Sequence, residues 1–106
     1  MDLNLNGKNA VIVGGARGIG RACAELLAAE GANVALCARN QENIDEAVAS
    51  LAAKGVKATG AVVDVTDDAA YRAWVGKAAE ELGGIDIFIG MASAGGGVVG
   101  EEGWRN

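Results

Sequence analysis

Apolar residues recur along this chain as short runs separated by longer stretches with helical spacing, a pattern that predicts successive strand–helix–strand units. Asn9–Val13 reads as a first strand, entered from the turn residues Asn6 and Gly7. Ile19, Cys23, Leu26, Leu27 and Glu30 then fall at helical spacing, and Gly31 stops that helix. Residues 33–37 are almost wholly apolar, as expected of a strand covered on both faces. Ile44, Val48, Leu51 and Ala52 mark a second amphipathic helix closed by Gly55, and residues 57–63 a third strand. Tyr71, Trp74, Val75, Ala78 and Leu82 form the stripe of a third helix, with Thr66 or Asp67 as N-cap and Gly83 and Gly84 at its end. Residues 85–89 give a fourth strand.

Right-handed crossovers between these strands produce a parallel, doubly wound sheet in the order 3-2-1-4. That order leaves the fourth strand at an edge. Ile85, Ile87, Phe88 and Ile89 are too apolar for a solvated edge, which charge or proline usually protects. The four-stranded sheet therefore reads as incomplete, and the chain is expected to oligomerise through the remainder of the fold or through that edge.

The segment joining the first strand to the first helix is Val13-Gly14-Gly15-Ala16-Arg17-Gly18-Ile19-Gly20. Gly14 permits a tight turn, Gly18 permits close backbone approach to a phosphate, and Gly20 permits close packing of helix on sheet. A helix amino terminus placed there offers free N–H groups and a positive dipole end to a pyrophosphate. No Lys-Ser/Thr pair follows Gly20, so the Walker type of phosphate loop is excluded. The second strand ends in Cys37-Ala38-Arg39-Asn40, where an NAD site usually carries a carboxylate. A guanidinium at Arg39 instead suits the 2′-phosphate of NADP, and Arg17 is a second cation within reach of the same phosphate. The missing carboxylate also argues against a methyltransferase.

The G-x-x-x-G-x-G spacing resembles the short-chain dehydrogenase/reductase family, whose fingerprint is T-G-x-x-x-G-I-G. Gly14, Gly18, Ile19 and Gly20 match it, and Val13 stands where the family has threonine. The resemblance implies a Rossmann-type fold, with residues 1–93 as a dinucleotide-binding half-domain and residues 94–106 as a glycine-rich loop and the start of a further helix. It implies that Asp64 meets the adenine amino group and Val65 the ring through its backbone. Asp86-Ile87-Phe88-Ile89-Gly90-Met91-Ala92-Ser93 aligns with the family's D-I-L-V-N-N-A-G, with Gly90 and Met91 replacing both asparagines. Backbone contacts to the cofactor at Gly90 and Ala92 need no particular side chain. The implied cofactor set is thus Gly14, Gly15, Ala16, Arg17, Gly18, Ile19, Gly20, Arg39, Asp64, Val65, Gly90 and Ala92, and the implied cofactor is NADP.

Composition narrows the chemistry further. The 106 residues carry a net charge of −5, which disfavours nucleic-acid and anionic-membrane partners. There is no histidine, so Ser-His-Asp and Cys-His arrangements are excluded, and two cysteines alone make no zinc site. Cys23 and Cys37 read as buried, reduced thiols of a cytoplasmic protein. The family's catalytic Tyr-x-x-x-Lys has no counterpart, because Tyr71 is followed four residues later by Val75. Tyr71 reads as core packing, Glu101 and Glu102 as a solvated helix start, and no catalytic residue is assigned. The expected function is the NADP-binding portion of an oxidoreductase moving hydride between NADP(H) and a carbonyl or alcohol, inactive by itself. A non-catalytic nucleotide-binding or interaction module is the alternative.

Overall fold

The computed structural model describes residues 5–14, 16 and 18–90. The elements run β1 (Asn9–Val13), α1 (Gly18–Ala29), β2 (Asn33–Ala38), α2 (Gln41–Ala52), β3 (Ala58–Val62), α3 (Asp68–Leu82) and β4 (Ile87–Gly90). All strand pairs are parallel, in the order β3-β2-β1-β4. The doubly wound sheet expected from the hydrophobic pattern is therefore present, with β4 at one edge. The glycine-rich segment and helix start expected at 94–106 lie outside the described residues.

Strand side chains alternate between two cores, because successive residues of a strand face opposite sides of a sheet. Ile12, Val34 and Leu36 pack with Ala24 and Ala28 of α1 and with Ile44, Ala47 and Leu51 of α2. Val11, Val13, Ala35 and Cys37 pack on the other side with Trp74, Ala78 and Leu82 of α3. Helix boundaries follow from local chemistry. The Asn40 side chain caps α2 by accepting from Asn43 N, and Asp67, rather than Thr66, caps α3 by accepting from Ala70 N. Gly83 ends α3 at φ +90°, a left-handed conformation that side chains other than glycine adopt at a cost.

Helix α1 departs from its expected stripe. Its buried face is Gly20, Ala24 and Ala28, whereas Ile19 and Leu26 are exposed and Cys23 is half-buried. Small side chains let the helix axis approach the sheet closely, so the contact forms where the residues are smallest rather than most apolar. In α2 the buried positions are Ile44, Ala47 and Leu51, and Ala52 faces outward. The third and fourth strands are shorter than their apolar runs. Lys57 and Val63 flank β3, while Ile85 and Asp86 precede β4.

A polar belt crosses the amino-terminal ends of all four strands. Asn9 N donates to Asp86 Oδ2 at 2.9 Å, and Asp86 N donates to Asn9 O at 2.8 Å, locking β4 to β1. Asn33 Nδ2 donates to Asn9 Oδ1 at 3.0 Å, and Lys57 N donates to Asn33 Oδ1 at 3.0 Å, carrying the chain of bonds to β2 and β3. Asn9 Nδ2 also donates to the carbonyl of Leu82, the last residue of α3, at 3.0 Å. Asn9 is 8% exposed, so its amide has little water to fall back on.

On the outer side, α1 and α2 are joined through Glu25. Arg21 Nε donates to Glu25 Oε2 at 2.7 Å and Ser50 Oγ to the same oxygen at 2.8 Å, while Lys54 Nζ lies 3.3 Å from Oε1. The Arg21 hydrogen bond, helped by those of Ser50 and Lys54, outweighs partial burial and holds the Glu25 carboxyl below its usual range.

Two outcomes test this description. Asn9→Ala strands the Leu82 carbonyl and the Asn33 amide, and should lower stability by about 1–3 kcal/mol. Asn33→Ala, at a half-buried position, should cost less; equal or negligible losses in urea unfolding would show that the belt does not hold the sheet. Glu25 has a folded pKa below its unfolded one, so its contribution is complete above the unfolded value and lost as pH falls through the folded one. The Tm gap between wild type and Glu25→Gln should be full at pH 7 and should begin to shrink as pH enters the ordinary Glu range. It should close only in more acid, below the lowered folded value. A gap that persists into acid would mean that the Glu25 charge contributes nothing.

Candidate functional site

Because the strands are parallel and in register, their carboxyl ends form one rim. Val13 pairs with Cys37 on one side and Gly90 on the other, and Ala38 pairs with Val62. The rim therefore presents Gly14 after β1, Arg39 after β2, Asp64 shortly after β3, and Gly90 at the end of β4. The chain leaves β1 for β2 on one side, while β4 returns on the other. In open α/β sheets, the crevice at such a reversal is where ligands bind.

The turn off β1 is anchored at two points. Gly14 adopts φ +81°, and its N–H donates to the Cys37 carbonyl at 2.8 Å, tying the turn to the end of β2. Ala16 is 3% exposed and packs into the core under α1 and α2, pinning the loop from below. Sequence reasoning placed Ala16 in the loop but missed this anchoring. Gly18 opens α1 at φ +60°, and a Cβ there would meet none of the described residues within 4 Å beyond its own helix and chain neighbours. Among the described residues, nothing packs over the Gly18 Cα where a phosphate would approach. The first turn of α1 contains no carboxylate, whereas Glu42 and Asp68 occupy the first turns of α2 and α3. That difference leaves the positive dipole end of α1 without a carboxylate from its own first turn. Of the remaining loop positions, Gly20 is buried in α1 and Ile19 is 72% exposed. Gly15, Arg17 and Ala92 lie outside the described residues.

At the other end of the rim, Arg39 and Asp64 meet. Arg39 Nη2 is 3.7 Å from Asp64 Oδ1, with side chains 75% and 58% exposed. Asp64 Oδ1 also accepts from Thr66 N at 2.9 Å and from Thr66 Oγ1 at 2.6 Å, which fixes the carboxylate in its turn. These Thr66 bonds, with a smaller addition from the Arg39 charge, keep the Asp64 carboxyl below its usual range. Val65 packs against the core on the α3 side. The sequence suggested Arg39 and Asp64 separately; their pairing and the Thr66 clasp were invisible there.

Two further groups near the rim are chemically quiet. Cys37 is buried under the Gly14 turn, and burial pushes its thiol up despite the opposing backbone hydrogen bond of Gly14. Tyr71 packs against the same core, and its phenol is raised by burial and by Cys37. Both remain protonated at neutral pH, as packing residues would. Among the described residues there is no group of three or more His, Cys, Asp or Glu placed to hold a metal ion. No helix among them is long and apolar enough to cross a membrane.

The geometry agrees with what the chain resembles. The family described as short chain dehydrogenase matches residues 8–103. The gluconate 5-dehydrogenase of Gluconobacter oxydans is 43% identical over 89 residues, covering 84% of this chain and 35% of that enzyme. A short chain dehydrogenase from Burkholderia cenocepacia solved in complex with NADP superposes with a TM-score of 0.78 at 42% identity, covering 80% of this chain and 35% of that one. An NAD+-bound xylitol dehydrogenase gives a TM-score of 0.77 at 38% identity, covering 79% and 32% respectively. The chain thus spans about a third of the length of these relatives. Both dinucleotides occur among them, so overall likeness does not choose between NAD and NADP.

Proposed function

The chain belongs to the short-chain dehydrogenase/reductase family, and we propose that it is a cofactor-binding portion selective for NADP over NAD. The observation that carries this reading is Arg39, an exposed guanidinium on the rim at the end of β2, where an NAD site would place a carboxylate. The remaining residues fit a dinucleotide. Gly14 and Gly18 hold positive φ and shape a turn that leads into a helix end without carboxylates, suited to a pyrophosphate. Gly15, Ala16, Arg17, Ile19 and Gly20 complete that loop, with Arg17 as a second cation for the 2′-phosphate. By the family resemblance, Asp64 and Val65 border the adenine position, and Gly90 and Ala92 are the positions of backbone contacts to the cofactor.

When bound, NADP(H) supplies or accepts the hydride exchanged with a carbonyl or alcohol substrate. Residues 1–93 hold the cofactor in this reading, and none of these 106 residues is assigned to deliver the proton. The chain alone is accordingly inactive.

Calorimetric titration should show tighter binding of NADPH than of NADH. Arg39→Ala removes a charge-assisted bond to phosphate and should cut NADPH affinity about 10- to 100-fold with little effect on NADH. Equal affinities in the wild type would sink the NADP assignment. Gly18→Ala should weaken both dinucleotides together, since its Cβ enters the space where the pyrophosphate approaches. The accompanying stability loss, about 1–2 kcal/mol for an alanine at left-handed φ, should be readable separately in thermal unfolding.

A further inference from the structure

We propose that Asp64 moderates the dinucleotide preference, as a fixed counter-ion of Arg39 that competes with a ligand's 2′-phosphate for the guanidinium. The proposal rests on the reading of Arg39 as the 2′-phosphate ligand. Register brings the two residues together: Ala38 pairs with Val62, and Val63 N donates to Ala38 O at 3.0 Å, so the chain just beyond β3 runs beside the end of β2.

The two partners differ in freedom. Asp64 is clasped by both the backbone N–H and the hydroxyl of Thr66, at 2.9 and 2.6 Å. Arg39 is 75% exposed, and at 3.7 Å it is held to Asp64 by charge rather than by a directional hydrogen bond. The guanidinium can therefore turn to a phosphate while the carboxylate cannot follow. A dianionic 2′-phosphate that engages Arg39 must both displace this pairing and settle near a fixed negative charge. A ribose 2′-hydroxyl meets neither cost. Asp64 thus narrows the margin by which Arg39 favours the phosphorylated dinucleotide, and it does so without contacting the reacting end of the cofactor.

Asp64→Asn isolates that effect, because an amide oxygen can still accept both Thr66 bonds while the charge is gone. The probes are 2′,5′-ADP and 5′-AMP, which differ by the 2′-phosphate and lack the nicotinamide, titrated calorimetrically into the 106-residue chain. The readout is the ratio of their dissociation constants. In Asp64→Asn the ratio should move toward 2′,5′-ADP by about two- to fivefold, the range of an exposed ion pair, and the gain should shrink at high salt. A ratio that stays put or falls overturns the proposal. That includes the case in which both affinities drop together, which is what a purely structural role for Asp64, or a role at adenine alone, would produce. Arg39→Ala separates the two levels of inference. If it abolishes the wild-type ratio while Asp64→Asn leaves the ratio unmoved, the cofactor reading stands and the competition fails. If Arg39→Ala leaves the ratio intact, or neither probe binds, both fail.

Discussion

The hydrogen bonds that Asn9 makes at the amino-terminal edge of the sheet set the frame for everything above them. A parallel sheet has no hairpins to fix its register; each strand arrives after a helical crossover and must be aligned by other means. Here Asp86, Asn9, Asn33 and the Lys57 backbone form a continuous bonded row across β4, β1, β2 and β3. The row lies perpendicular to the strands and so aligns their starts. Strands of similar length with aligned starts also have aligned ends. The rim bearing Gly14, Arg39, Asp64 and Gly90 is level for that reason, and a slip of one residue would exchange the two cores of the sheet. The belt places these structural hydrogen bonds at the end of the sheet opposite the rim that carries Arg39 and Asp64.

Much of this architecture was legible in the chain because apolar strands and glycine stops are strong local signals. β1 spans Asn9–Val13 as its apolar run suggested, and Gly31 and Gly83 follow the helices they were expected to end. The errors have a common physical origin. Hydrophobic periodicity weighs residues by how much they gain on burial, but a helix lying on a parallel sheet also gains from closeness. In α1 closeness wins: Gly20, Ala24 and Ala28 face the sheet, and the larger Ile19 and Leu26 are left outside. The Asn9 belt was unreadable for a different reason. Its members are separated by 24 residues or more, and an asparagine at a strand start looks like an ordinary boundary residue until its partners are known.

The site divides in the same way. Positions defined by backbone conformation, such as Gly14 and Gly18, announce themselves, because positive φ restricts the residue choice almost to glycine. The place of Arg39 was also legible, directly after the last residue of β2. What the sequence cannot show is which charges share a neighbourhood. Arg39 and Asp64 are 25 positions apart and on different connections, yet the β2–β3 register brings them to 3.7 Å. Ala16 illustrates the complementary case. An alanine within a glycine-rich loop looks like filler, and its burial is what ties that loop to the core.

Among the described residues, the rim is anchored at Gly14, Ala16 and Asp64 and leaves the Arg39 side chain adaptable. The turn after β1 is pinned by Gly14 N–H above and Ala16 below, and the turn after β3 is pinned by Asp64 and Thr66. A backbone fixed in advance loses little conformational freedom when a pyrophosphate or a base is placed on it, so recognition of the parts common to both dinucleotides is inexpensive. In the NADP reading proposed above, discrimination between them draws on Arg39, a long exposed side chain among the described residues of this rim. In a chain with net charge −5, an unpaired arginine would draw anions of every kind; beside a fixed carboxylate it exchanges partners only for a stronger anion. A phosphate carries more charge than the carboxylate it replaces and offers a geometry the guanidinium can meet with two bonds. On the proposal above, the Arg39–Asp64 contact is worth little to folding and moderates the pull of Arg39 on a phosphate, whereas the Asn9 belt at the opposite end of the same strands serves the fold.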